Sequence, residues 1–334
     1  MYGEALRRSG AEYRIFANLV RFNYRSRVEL LLVRIPHLAL VAFKNAVLSL
    51  IWSRPSPDYV VLGSDVEVLI FAALRAVFSR RTKIVHGSLI YTTRKDSRAE
   101  LWRRRYYRLV LSLTDIAIVH SRFEVERNQQ IFPSLSVRFV FIPYGMNLDR
   151  RAAILEEATQ QPPAGHPVLV TAGRSGRDYA TLFAAMAGVD AELRVICDLA
   201  RAVPPVPPHA RITVLDHCLG NDYLQELAKA DIVVLPLAVA DVSAGQMVLI
   251  QAKALGRPVI ITDTPTVRDY VEPGEDAILV PLGDAGALRA AICGLLANPA
   301  LRAALGARGS ANYDRNHGTI GFTARLIEAI TRAA

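Results

Sequence analysis

Two short segments in the second half of the chain carry residue types suited to binding an anion. The first reads Thr171-Ala-Gly-Arg-Ser-Gly-Arg-Asp-Tyr179 and follows an apolar, strand-like run. Gly173 and Gly176 let the backbone approach a ligand closely. Arg174 and Arg177 can both project toward one crevice, and two guanidinium groups match the oxygens of a pyrophosphate. The segment predicts a pyrophosphate site, while spacing alone leaves open a solvated turn with incidental arginines.

The second segment extends from Asp241 to Gly256 and contains a predicted helix. Ser243 followed by Gln246 is a capping box. The same geometry leaves N–H groups and the positive dipole end at Gly245–Met247, where an anion or a sugar hydroxyl would be favoured. Gln251 lies about two turns after Ser243 on roughly the same face, within reach of a ribose diol. We expect a ligand here, either with or without the capping interaction.

In the first half, a histidine and a set of cations are the candidates for chemistry. His86 ends the apolar run KIVHG and is a candidate catalytic residue, although a histidine at a strand end can also be structural. His120 ends a similar run, but Ser121 gives that turn a plain capping explanation. Of the two histidines, we therefore predict a catalytic role for His86, alongside Arg174 and Arg177.

Cations and aromatic residues lie close together after His86. Arg94 and Lys95 come first, and a predicted helix then places Trp102, Tyr106 and Leu109 on one stripe, with further cations elsewhere, namely Arg104, Arg105 and Arg108. This combination suits an acceptor or an anionic membrane surface, and it would also suit nucleic acid. The alternative is a solvated helix face whose aromatic stripe packs in the core.

Alternating strands and helices must position these residues. In the second half, apolar runs predict strands at 168–172, 193–197, 211–215, 231–236, 258–263 and 277–281, with helices at 179–187, 222–230, 244–255, 267–271 and 286–296. In the first half they predict strands at 58–63, 83–87, 115–120 and 138–143, with helices near 66–78, 97–113 and 122–131. Apolar strands alternating with helices indicate parallel sheets covered on both faces. The fold class is therefore α/β, with two doubly wound, Rossmann-like domains.

The domain limits follow from a polar break. Glu157 to His166 is rich in proline and glycine and separates the two periodic regions, so we predict an N-terminal domain at 1–155 and a C-terminal domain at 156–334. Residues 13–17 resemble a strand, but the strand and glycine-rich turn that normally open such a domain are not found before them. The N-terminal domain is therefore expected to lack its first strand.

Composition narrows the functional class. Residues 1–150 hold 24 Lys and Arg against 12 Asp and Glu, whereas the remainder holds 16 against 19. A basic half beside a near-neutral half predicts that the first half meets something anionic. No apolar run spans a bilayer and no signal peptide is recognised, so we expect a cytoplasmic protein. The three cysteines have no metal-ligand spacing.

Four blocks after Val168 resemble, in order and spacing, the donor-binding domain of the retaining GT-B glycosyltransferases of family 4. They are GRSGRDYATLFAAM (173–186), LGNDYLQELAKADIVVLPL (219–237), SAGQMVLIQAKALGRPVIITDTPTVRDYVEPGEDAILVPLGD (243–284) and LLANPALRAAL (295–305). In the first half, VHSRFEVER (119–127) and FIPYGMN (141–147) are also similar to the family. The resemblance implies a GT-B fold, with two Rossmann-like domains facing across a cleft and the last helix packing back on the N-terminal domain.

The resemblance also implies individual roles. Arg174 matches the family's arginine on the donor diphosphate, and Arg177 stands where the family has a lysine with the same task. Gln251 falls on the glutamate that holds the ribose, and Ser243 on the glutamate that contacts the transferred sugar. Because both glutamates are absent, the identity of the donor sugar stays open. His86 resembles the histidine that family members place near the acceptor.

The predicted activity is transfer of a sugar from a nucleoside diphosphate sugar to a hydroxyl acceptor, lipid-linked or saccharide, in cell-envelope or exopolysaccharide assembly. The donor is a co-substrate, and neither a cofactor nor a metal ion is expected, since no acidic cluster has ligand spacing. The acceptor would lie at the inner face of the cytoplasmic membrane. A nucleotide-sugar epimerase on the same fold and a non-catalytic sugar-nucleotide-binding relative are the alternatives, and a nucleic-acid-binding protein is disfavoured for want of a motif.

Overall fold

The computed structural model describes residues 35–51, 57–78, 81–93, 96–160, 165–198, 202–208 and 210–332. The helices within these ranges are α1 (Ile35–Ile51), α2 (Asp65–Phe78), α3 (Ser97–Ser112), α4 (Arg122–Ile131), α5 (Arg151–Thr159), α6 (Tyr179–Ala185), α7 (Asn221–Lys229), α8 (Gln246–Ala254), α9 (Ala285–Ala297), α10 (Pro299–Asn316) and α11 (Thr319–Thr331). The strands are β1 (Tyr59–Leu62), β2 (Lys83–His86), β3 (Ile116–Val119), β4 (Arg138–Phe141), β5 (Val168–Ala172), β6 (Glu192–Ile196), β7 (Ile212–Leu215), β8 (Ile232–Leu235), β9 (Val259–Thr262) and β10 (Ile278–Val280).

The strands form two separate parallel sheets. One has the order β1-β2-β3-β4 and the other the order β10-β9-β8-β5-β6-β7. Strand β5 is buried along its whole length, and its side chains alternate between two cores: Val168 and Val170 pack in one, Leu169 in the other. A strand that is apolar on both faces needs helices on both faces. The predicted α/β class with two Rossmann-like sheets is confirmed.

The order of the larger sheet fixes where a ligand can bind. The chain runs outward from β5 through β6 to β7, then returns to β8 on the other side of β5 and continues to β10. In open parallel sheets, ligands bind beyond the carboxyl ends of the strands where the order reverses. In this sheet that position lies between the loops that follow β5 and β8.

The chain divides into two compact units at Ile142 and Pro143, earlier than the predicted limit at residue 155. The difference arises because the segment after Pro143 includes α5, whose Ile154 is buried in a core of the second unit. The second unit ends at Thr323, and the remaining C-terminal residues belong to the first unit. Within the first unit, Nη2 of Arg138 donates a hydrogen bond to the carbonyl of Ala329 at 3.2 Å.

Most of the predicted elements are present, with two differences. Residues 267–271 form turns in place of the predicted helix. The helix predicted from residue 244 begins at Gln246. The predicted absence of a first strand concerns residues 1–34, which lie outside the described ranges. Among the described helices, none alone has the length and apolarity of a membrane span, and one pair, α9 with α10, meets both criteria only across a bend of 102°.

Candidate functional site

The two predicted anion-binding segments lie side by side in the second unit. One follows β5 and the other follows β8, and these two strands are neighbours in the sheet. Backbone hydrogen bonds join the loops: the amide of Asp178 donates to Pro236 at 3.0 Å, and the amide of Ala238 donates to Gly176 at 2.9 Å. The segments therefore form one site at the reversal point of the sheet.

Arg177 belongs to the first segment, and its guanidinium lies beside Gly245 of the second. Its Nε donates to the carbonyl of Ala172 at 2.8 Å and its Nη1 to the carbonyl of Ser175 at 3.0 Å. The guanidinium packs on Gly173, where a Cβ would lie 2.6 Å from Nη2, and a Cβ on Gly245 would lie 3.6 Å from Nη1. Burial lowers the pKa of Arg177, but a guanidinium keeps its charge in proteins. The fold thus fixes a positive charge where both glycine loops meet.

The start of α8 borders this charge. Gly245 is the N-cap residue of the helix, with a left-handed φ of 89°, and as a glycine it has no side chain with which to cap it. The predicted capping box places the helix start directly after Ser243, whereas α8 begins two residues later, after the left-handed Gly245. The Gln246 side chain is buried and donates to the carbonyl of Thr266 at 3.2 Å, while Met247 is exposed. The site therefore offers helix-terminal amides, which attract anions, with Gln246 contributing through its backbone only.

Arg174 is paired with a carboxylate that follows another strand. Its Nη1 contacts a carboxylate oxygen of Asp198 at 3.1 Å, and both side chains are largely exposed. Asp198 follows β6, which lies on the opposite side of β5 from β8. The Arg177 guanidinium thus lies beside Gly245, in the loop that follows β8, whereas the Arg174 guanidinium contacts Asp198, which follows β6. The role of Arg174 stays a prediction.

Gln251 occupies the second turn of α8 and has a partner that the sequence did not suggest. The Tyr223 hydroxyl, on the first turn of α7, donates to Gln251 Oε1 at 2.6 Å. Burial raises the pKa of Tyr223, and the positive charge of Arg177 opposes that rise. Tyr223 and Gln251 therefore belong to the surroundings of Arg177. Tyr223 lies within one of the family-like blocks, but no pattern of residue types marked it.

In the first unit, His86 lies at the end of β2 with both ring nitrogens engaged. Its Nε2 lies 2.9 Å from Oδ1 of Asp65, and its Nδ1 accepts from the amide of Ser88 at 3.4 Å. The imidazole is therefore oriented with its Nε2–H toward the carboxylate. The side chain is 3% exposed. Asp65, at the start of α2, was missed because a carboxylate in a first turn is normally explained by the helix dipole.

His120 forms a second polar pair at the same edge of the sheet. Its Nδ1 lies 3.0 Å from the carbonyl oxygen of Ile142, and its Nε2 lies 2.8 Å from Oγ of Ser88. Burial lowers the pKa of His120 to about 4, so the ring is neutral at pH 7. A neutral imidazole that donates through Nδ1 accepts through Nε2. The predicted cap is also present, since Ser121 accepts from the amide of Glu124.

The predicted basic and aromatic surface lies on α3. The stripe of Trp102, Tyr106 and Leu109 is exposed, with Trp102 at 69%, so the alternative in which it packs in the core is wrong. The buried face is formed by Val110 and Leu111. The helix cations Arg104, Arg105 and Arg108 are exposed on the same element, and the Arg105 guanidinium lies 5.4 Å from the centre of the Trp102 ring. Arg94 and Lys95 lie outside the described residues.

The described part of the chain offers no cluster of metal-ligating side chains. It contains no group of three or more His, Cys, Asp and Glu side chains that could hold a metal ion. The charges at the candidate site come instead from arginine and from helix-terminal amides. Such a set favours an anionic ligand over a cation.

Part of the sequence is similar to known glycosyl transferases. Residues 167–298 match the family model described as glycosyl transferases group 1. A phosphatidyl-myo-inositol mannosyltransferase of Mycobacterium leprae (strain TN) is 41% identical over 71 residues, which span 20% of this chain and 19% of that protein. The matched region therefore covers only about a fifth of the length of this relative.

Solved structures of other proteins share the fold of this chain over nearly its whole length. A sucrose-phosphate synthase from Thermosynechococcus elongatus matches with a TM-score of 0.69 at 20% identity, covering 99% of this chain and 91% of that one. Anabaena Alr3699/HepE in complex with UDP-glucose matches with a TM-score of 0.66 at 14% identity, covering 89% and 84%. The parallel sheets, their order and these matches show that the chain has the GT-B fold, and its residues 167–298 match the group 1 glycosyl transferase family model.

Proposed function

We propose that the protein transfers a sugar from a nucleoside diphosphate sugar to a hydroxyl acceptor. The observation that carries the proposal is the convergence of Arg177, the Gly173 turn and the N-terminus of α8 at the point where the larger sheet reverses. Each of the three favours negative charge, and together they suit a diphosphate. HepE, which shares the fold, was solved with UDP-glucose, which supports a donor of this class.

The difficult step in such a transfer is departure of the nucleoside diphosphate, on which negative charge grows. Arg177 and the amides at Gly245–Met247 would stabilise that charge without reorganising, because hydrogen bonds and backbone geometry already hold them. Arg174 would join them by leaving Asp198, with which it forms an exposed pair that costs little to break. This chemistry needs no metal ion. Retention at the anomeric carbon is the outcome that the family resemblance implies.

The proposed acceptor is lipid-linked or saccharide and is presented at the inner face of the cytoplasmic membrane. Two observations support a lipid acceptor: α3 exposes Trp102 beside cations, and the matched relative is named for transfer of mannose to a phosphatidylinositol. The buried His86, oriented by Asp65, is the proposed catalytic residue of the first unit. Arg94, Lys95, Arg104, Arg105 and Arg108 are the proposed acceptor or membrane contacts.

The affinity of the Arg174→Ala variant for nucleoside diphosphates tests the proposal. Because charge-assisted hydrogen bonds contribute about 1.5–3 kcal/mol each, loss of one is expected to weaken nucleoside diphosphate binding by about tenfold or more, as measured by calorimetry with UDP, GDP and ADP. Arg211→Ala is the matched control, since Arg211 is 59% exposed against 61% for Arg174 and is also paired with an aspartate. If both variants bind like the unaltered protein, the site is misassigned.

A non-catalytic sugar-nucleotide-binding relative is the second candidate. It is favoured by Ser243 and Gln251, which stand where the resemblance places two glutamates. Such a protein would bind a nucleotide sugar yet neither transfer nor hydrolyse it. Product analysis with and without an acceptor separates the two candidates, and product formed without any acceptor would instead indicate an epimerase.

A further inference from the structure

The Gln251 side chain is held in one orientation by Tyr223. The Tyr223 hydroxyl donates to Gln251 Oε1 at 2.6 Å, and burial raises the pKa of the phenol, so the hydroxyl keeps its proton at neutral pH. A carboxamide has an acceptor oxygen and a donor nitrogen in one plane. Fixing Oε1 on Tyr223 therefore turns the Nε2–H₂ group away from α7.

Tyr223 is itself held in place. It lies on the first turn of α7 and packs against the core that contains Val168 and Val170. Helix α7 is in turn connected to α5 through Gln225, whose Nε2 donates to Glu157 Oε2 at 2.6 Å. A side chain that is supported in this way can orient a neighbour precisely enough to matter for binding. The Tyr223 hydroxyl is thus a fixed donor and Gln251 the group that it orients.

The orientation matters because Gln251 borders the candidate anion site. Gln251 lies on α8, and the N-cap of this helix, Gly245, borders the Arg177 guanidinium, since a Cβ on Gly245 would lie 3.6 Å from Nη1. We propose that Tyr223 is a positioning residue that presents the Gln251 N–H₂ group to the ribose hydroxyls of the donor, and that it thereby sets selectivity for ribose over 2′-deoxyribose. This inference rests on the proposed function.

A carboxylate would not need such a partner. Its two oxygens are equivalent acceptors, so a rotation that exchanges them changes nothing that a ligand meets. A carboxamide presents a donor in one orientation and an acceptor in the other. The requirement for Tyr223 is therefore specific to glutamine at position 251, and this difference gives the test.

The experiment measures the ratio of 2′-deoxynucleotide to ribonucleotide dissociation constants by calorimetry, using the best-bound pair among UDP and 2′-deoxy-UDP, GDP and 2′-deoxy-GDP, and ADP and 2′-deoxy-ADP. The net value of one hydrogen bond predicts a ratio of about five for the unaltered protein. Tyr223→Phe should bring the ratio to about one through weaker ribonucleotide binding. Tyr313→Phe is the control, because that hydroxyl donates to the carbonyl of Met146 in the same unit.

The same change is then made in a Gln251→Glu background. There, Tyr223→Phe should leave the ratio unaltered, since the carboxylate has no orientation to lose. Three outcomes would overturn the positioning role. The ratio of dissociation constants could fall equally in both backgrounds, or it could stay unchanged after Tyr223→Phe alone. Tyr223→Phe could also weaken the binding of both nucleotides equally. Failure of the unaltered protein to bind any of the three pairs would overturn the proposed function itself, and the inference with it.

Discussion

At the scale of single residues, Gly173 is the position at which the candidate site tolerates least change. Its φ is +112°, and a Cβ would lie 2.6 Å from Nη2 of Arg177. Glycine is needed here both for the backbone conformation and for the close approach of a charged side chain. The packing of Arg177 on this glycine is what places its charge at the edge of the sheet.

We predict that Gly173→Ala destabilises the protein by about 1–2 kcal/mol through the left-handed backbone and also weakens donor binding by displacing Arg177. The free energy of unfolding and the affinity for UDP, GDP or ADP are the measurements. Gly188→Ala is the matched control, because Gly188 has a φ of 77° and a Cβ there meets nothing within 4 Å. Equal affinities in the two variants would show that Arg177 is not held by Gly173 in the way described.

The buried His120 predicts a pH dependence of stability. Its folded pKa is lowered from 6.5 to about 4, so between these values the unfolded chain binds more protons than the folded one. The contribution of His120 to the free energy of unfolding is therefore fully present above pH 6.5 and is lost as the pH falls toward 4. At about 1.4 kcal/mol per pKa unit, the loss approaches about 3 kcal/mol.

Urea denaturation at pH 7 and pH 5 measures this effect. His120→Gln should show a smaller loss of unfolding free energy between the two pH values than the unaltered protein. His217→Gln, at a side chain that is 95% exposed, should keep the full loss. A His120→Gln variant that behaves like the His217→Gln control would refute the assignment.

At the scale of elements, α3 combines two surfaces. Its inner face buries Val110 and Leu111, while its outer face carries Trp102 and Leu109 at 69% and 53% exposure. An exposed tryptophan beside cations is typical of a helix that lies on an anionic membrane surface. The N-terminus of α3 is also capped, because the Asp96 side chain accepts hydrogen bonds from two backbone amides there.

We predict that the double variant Arg104→Gln/Arg105→Gln binds vesicles containing phosphatidylglycerol about tenfold or more weakly, since each cation near an anionic surface contributes about 1 kcal/mol. Sedimentation with vesicles measures the binding. Arg308→Gln/Arg315→Gln, which removes two exposed arginines from α10, is expected to bind like the unaltered protein. Equal losses in the two double variants would mean that α3 is not the contact.

At the scale of the whole molecule, charge is divided unevenly along the chain. The first 150 residues carry a net charge of +12, from 24 cations against 12 anions, and the chain as a whole carries +9. Long-range attraction to an anionic surface should therefore originate in the first half. The candidate donor site, in the near-neutral second half, depends on short contacts instead.

Salt should separate the two kinds of binding. At 1 M ionic strength the screening length falls to about 3 Å from about 10 Å at 0.1 M, so raising NaCl across this range should abolish most vesicle binding while weakening nucleotide binding much less. Vesicle sedimentation and calorimetry on the same preparation measure both. Vesicle binding that survives 1 M salt would attribute the contact to apolar insertion of α3 and not to the net charge.

Much of the fold could be predicted from the sequence because its signals are local. Strands such as β5 are continuous apolar runs, and glycines and prolines mark their ends. Helix limits were predicted less accurately than strands. Helix α8 begins two residues after the predicted start, because the left-handed Gly245 interrupts a segment whose residue types favour capping by Ser243. Residues 267–271 have a helical pattern, yet the chain there forms successive turns.

The sequence by itself determined the two parallel sheets, the loops that follow β5 and β8, and the cations that distinguish the first half. Only the tertiary structure decided which side chains meet. It joined Arg177 to Gly245 and Tyr223 to Gln251, turned Arg174 toward Asp198, and paired His86 with Asp65. The physical reason is that strand and helix patterns depend on neighbours a few residues apart, whereas these contacts depend on the strand order, which brings distant segments to the same edge.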